Sequence, residues 1–161
     1  MLVEKMDKKK FDNFLLLSSK LTGFPKLDLL GTGLALDYYD LVKSIIGDTI
    51  LDQLYNAGIE IFSKDHEVTL EEEYIRDKIL SDSKFGPVAR SMIKLWYLGQ
   101  WDPLPAGWRA EFGSHTEDTG RIISSESYQE GLVWVAIAAH PMGAKQPGFG
   151  SWTQPPQKDL R

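Results

Sequence analysis

The chain has 161 residues and a formal charge of −5, enough length for one hydrophobic core and no electrostatic support for a nucleic-acid partner. It contains no cysteine, which excludes disulfides, thiolate zinc sites, iron–sulfur clusters and cysteine nucleophiles together. Hydrophobic residues make up 42% and charged residues 25%, the balance of an ordinary globular domain, and no apolar run approaches the roughly 18 residues needed to span a bilayer.

Residues 1–10 read as a charged N-terminal arm. The apolar stretch that follows is broken by Asp12 and Asn13, and neither a twin-arginine pair nor a small-residue cleavage site follows, so no export signal is readable. From residue 11 to 98 the pattern is helical throughout. Phe11, Phe14, Leu15, Leu17 and Leu21 recur at helical spacing until Gly23 and Pro25 close the segment. Asp28 is expected to cap a second helix whose stripe runs through Leu30, Leu34, Tyr38, Leu41, Val42 and Ile45, ending at Gly47. Asp48 can cap a third, with Ile50, Leu51, Leu54, Ile61 and Phe62 apolar. Thr69 and Glu72 fit a capping box for a fourth helix over 70–80, and Pro87 suits the first position of a fifth that carries Val88, Met92, Ile93, Trp96 and Tyr97.

Beyond Gly99 the period fails. Residues 99–125 read as an ordered loop, and Ser127 with Glu130 can cap one more helix over 126–139. Residues 140–161 are Pro/Gly-rich, without regular structure. The whole is expected to be one all-α domain over 1–161, a compact bundle of five to six helices with an ordered C-terminal tail.

All five tryptophans lie at or after Trp96. Trp96 and Trp134 fall in helical patterns and are expected in the core. Trp101, Trp108 and Trp152 stand on irregular backbone and need cover, from this chain's own bundle or from another protein. Aromatic residues are enriched at interface centres, so Trp101 and Trp108, together with Pro147, Phe149 and Trp152 of the tail, are the candidate partner-binding residues. The prolines of the tail restrict it even when free, which lowers the ordering cost of docking.

No convincing active site is readable. His66 lies in a charged stretch. His115 has Glu117 and Asp118 close in sequence, but a metal needs several converging ligands. His140 follows an apolar helix, where it would face the last carbonyls. GTGLAL (31–36) carries two of the three glycines of a dinucleotide fingerprint with no preceding strand, and GAKQPGFG (143–150) lacks Walker spacing. The acidic run 71–73 reads as a solvated helix face. The chain by itself is expected to have no catalytic, cofactor-binding or metal-binding residues.

Three segments carry a resemblance. FDNFLLLSSKLTGF (11–24), followed by LDLLGTGLALDYY, resembles the start of the mature small subunits of bacterial flavin-dependent sugar dehydrogenases. That family comprises the small subunit of membrane-bound sorbitol dehydrogenase and its fructose and glucose dehydrogenase relatives. VARSMIKLWYLGQW (88–101) is similar to the helix in that family that ends in a Trp-Tyr pair, a variable residue and glycine. SYQEGLVW, then HPMGAKQPGFGSW, resembles the family's closing segment. The likeness is collinear from about Phe11 to Pro155.

What the resemblance implies is a non-catalytic subunit. In such complexes a large subunit of the glucose–methanol–choline oxidoreductase type holds FAD and oxidises a sugar or polyol. A multihaem cytochrome c subunit often passes the electrons on, and the small subunit, without a cofactor of its own, supports folding, stability or export of the large one. Family members commonly carry a twin-arginine leader, which is not readable here, so the periplasmic location implied by the resemblance stands beside a cytoplasmic one. Two other readings of the same residues are a free-standing helical adaptor for another protein and a metal-dependent enzyme using His115 with Glu117 or Asp118.

Overall fold

The computed structural model describes residues 2–62, 68–142 and 144. The described chain is all-α apart from one small two-stranded ladder. Helix α1 (Leu2–Thr22) takes in all but the first residue of the segment expected to be an arm. It stops at Gly23, whose amide donates to the Ser19 carbonyl at 2.9 Å, while the Ser19 hydroxyl donates to Phe24 O at 2.7 Å.

A short helix, α2 (Lys26–Gly31), starts from Pro25, so Asp28 lies in its first turn and does not cap it. The stripe expected to be continuous from Leu30 to Ile45 is interrupted at 32–34. There Thr32 Oγ1 donates to Leu29 O at 2.7 Å and accepts from Leu34 N at 3.1 Å, a local side-chain turn that competes with helix. Helix α3 (Ala35–Phe62) contains Gly47 at φ 75°, ψ 160°, a conformation glycine reaches without the clash a Cβ would bring. The break expected at Gly47 is therefore present, as a kink between two helical halves. Lys10 Nζ of α1 reaches past it, to Asp48 Oδ1 at 2.9 Å and Asp52 Oδ2 at 3.2 Å.

Helix α4 (Val68–Tyr74) winds on as a π-helix over Ile75–Leu80. Thr69 is the second residue of α4 rather than its cap. The wider winding buries both Ile75 and Ile79, and Glu71 ties the element to α1 through Lys20 at 2.5 Å. Asp82 Oδ1 accepts from the amides of Lys84 and Phe85 at 2.8 and 2.7 Å and so starts α5 (Phe85–Leu98), where Pro87 is third, not first. Gly99 closes α5 in the left-handed region, its amide on Leu95 O at 2.9 Å; its carbonyl accepts from Ile123 N and Ser127 Oγ, both at 3.0 Å.

The segment 99–125 is more structured than a loop. It holds β1 (Gln100–Trp101), α6 (Ala106–Phe112) and β2 (Arg121–Ile122), with β1 and β2 antiparallel and Gln100 opposite Ile122. The helix expected over 126–139 is two. In α7 (Ser125–Gln129) the cap is Ser124, which forms a reciprocal capping box with Ser127 at the third position. After Gly131 comes α8 (Leu132–Ala136).

The core lies where α1, α3 and α5 meet. Phe14 and Tyr39 stand edge-on at 5.5 Å, and Tyr38 and Trp96 at 4.9 Å, geometries that add to area burial for aromatic pairs. Leu17, Leu29, Val42 and Leu54 belong to it at 0% exposure, each side chain contributing roughly 1.5–3 kcal/mol of transfer free energy. Burial raises the Tyr38 hydroxyl well above the ordinary tyrosine value, with Ser127 beside it pulling the other way. Among the described residues, no helix is long and apolar enough to cross a membrane.

Candidate partner-binding surface

Two of the residues expected to face a partner are core. Trp101 is 0% exposed and Trp108 5%, and each satisfies its indole N–H inside the chain. Trp101 Nε1 donates to Asp118 Oδ1 at 2.8 Å, and the same carboxylate accepts from Leu104 N at 3.0 and 3.2 Å. Trp108 Nε1 donates to Lys84 O at 2.8 Å, and its ring packs at 5.3 Å from Phe112. With its apolar body covered and its polar edge paired, neither indole is left to anchor another protein, and the expectation for both is corrected. The other three candidates, Pro147, Phe149 and Trp152, lie outside the described residues.

The His115 cluster does not converge. Asp118 is turned inward to Trp101 and Leu104, while Glu117 pairs with Arg121 at 2.5 Å. His115 Nδ1 accepts from Glu117 N at 3.2 Å, leaving imidazole and carboxylates aimed apart. Among the described residues, no group of three or more histidine, aspartate or glutamate side chains could hold a metal ion. His66 lies outside the described residues, and GTGLAL is the turn from α2 into α3. His140 is exposed past the end of α8.

Large apolar side chains stand exposed at several places, among them Leu27, Leu36 and Ile122, and three of them fall together in sequence on α8 and the chain that follows it. Leu132 is buried, and the backbone before it comes so close to α5 that a Cβ on Gly131 would stand 2.7 Å from Tyr97 O. Trp134, expected in the core, is half-buried instead. Its Nε1 donates to Tyr128 O at 2.7 Å and its ring stands edge-on to Tyr128 at 5.4 Å. Val133 is half-buried as well, while Val135 at 69% exposure, Ile137 at 60% and Met142 at 70% face out. A five-residue helix can bury only one side. VWVAIAA places apolar residues on more sides than that, and this excess is the sequence signal that could have singled out Val135 and Ile137.

The exit from α8 is fixed. Ala138 adopts φ 52°, its amide donates to Val135 O at 3.1 Å, and Ala139 N reaches back to Trp134 O at 2.8 Å. This is the hydrogen-bond pattern of a Schellman ending with alanine where glycine is usual. Pro141 is buried, and Ala144 N donates to its carbonyl at 3.2 Å. Exposed aliphatic and thioether side chains can offer apolar area to another surface, but no acid, base or nucleophile.

The described residues form a helical protein in which Val135, Ile137 and Met142 stand exposed at or after α8. No family model, curated protein or solved structure matches the chain.

Proposed function

We propose that this chain is the non-catalytic small subunit of an FAD-dependent sugar or polyol dehydrogenase, and that it binds and stabilises the flavin-containing large subunit through the exposed apolar side chains at the end of α8 and the tail after it. The observation that carries the reading is a coincidence of place. Val135 and Ile137 stand exposed just before, and Met142 within, the segment HPMGAKQPGFGSW that resembles the closing segment of that family's small subunits. Apolar side chains left in water disfavour the isolated chain's solubility and favour a contact that removes them. The partner is a flavoprotein of the glucose–methanol–choline type, with a multihaem cytochrome c as a further subunit in some complexes; FAD belongs to the large subunit. Phe149 and Trp152 are the tail's anchors in this reading, and Pro147 stiffens the backbone that presents them.

The test is purification of the chain, tagged and expressed at native level, from its own host. The expected result is one flavin per chain, carried by a co-purifying large polypeptide whose dehydrogenase activity on a sugar or polyol is retained with a dye acceptor. Recovery of the chain alone, or with partners that carry no flavin, overturns the proposal, and the second of these outcomes favours the helical adaptor.

A further inference from the structure

We draw no further inference here: the strongest candidate, the open groove between α1 and the first half of α3 lined by Lys8, Phe11, Leu36, Tyr39, Asp40 and Lys43, has an apolar floor with charges of both signs on its walls, and nothing in the structure shows what covers it.

Discussion

Asp118 is 3% exposed, and its carboxylate serves two donors, Trp101 Nε1 on β1 and Leu104 N between β1 and α6, with Arg109 Nε 3.9 Å away. A buried donor left without an acceptor costs about 1–3 kcal/mol. Asp118→Ala orphans two, so chemical denaturation should show a loss of about 3 kcal/mol. Asp118→Asn keeps an accepting oxygen and should lose less. An unchanged midpoint for the alanine variant would mean that these bonds do not hold the segment. Ala138 makes the opposite case. A left-handed residue with a Cβ carries strain of about 1 kcal/mol, part of which glycine returns as extra freedom in the unfolded chain. Ala138→Gly should therefore raise stability by about 0.5 kcal/mol in the same measurement. A fall in stability would show that the α8 exit is not held as described.

Between elements, ion pairs join what the helical periods leave separate. Lys10 draws the Asp48 carboxyl below its ordinary value, and Lys94, with help from Gln100, does the same to Asp102. A carboxylate held down in the folded state adds stability that is complete above its ordinary value near pH 4 and lost as pH falls through the folded value. Lys10 is raised by the same pair, so on the alkaline side that contribution persists to about pH 10.4 and is lost above the folded value. The side chains of Asp48 and Asp102 are 46% and 29% exposed, so solvent screening keeps each pair well under about 1 kcal/mol. Thermal melts of Asp102→Asn should accordingly lie slightly below the parent at neutral pH, and the gap should narrow as pH falls below the ordinary carboxylate value and through the folded value. A gap that widens on acidification would contradict the sign.

How far these elements could be read from the sequence depended on the range of the interaction behind each. The Gly47 break follows from one residue's backbone and was readable. The interruption at 32–34 was not, because Leu30, Leu34 and Tyr38 continue a helical stripe across it while a threonine hydroxyl turns the chain beneath. The ladder and α6 are too short to show a period. The cap of α7 lies three residues before Ser127, since two serines that exchange hydrogen bonds look alike in sequence.

At the scale of the molecule, an all-α bundle was legible because its core stripes on α1, α3 and α5 are long and periodic. The candidate surface was only partly so. Trp101 is paired with Asp118, 17 residues away, a contact that no local pattern shows, and an indole on irregular backbone therefore looked available when it is enclosed. Val135 and Ile137 were hidden for the converse reason, since in a pattern taken as one long helix they pass for core.

The proposed binding rests on these exposed side chains, and the affinity of a Val135→Ser, Ile137→Ser double variant for the proposed flavin-containing partner tests it most directly. Both side chains are well exposed, so the free chain should keep its melting temperature within about 1–2 °C, as surface changes of at most about 0.5 kcal/mol require. Burying an aliphatic side chain contributes roughly 1.5–3 kcal/mol, so losing two from a contact should cost at least about 2 kcal/mol, roughly thirtyfold in affinity. The expected result is a loss of at least that size on an unchanged fold. Undiminished capture of the flavoprotein by a chain whose face has been made polar would contradict it.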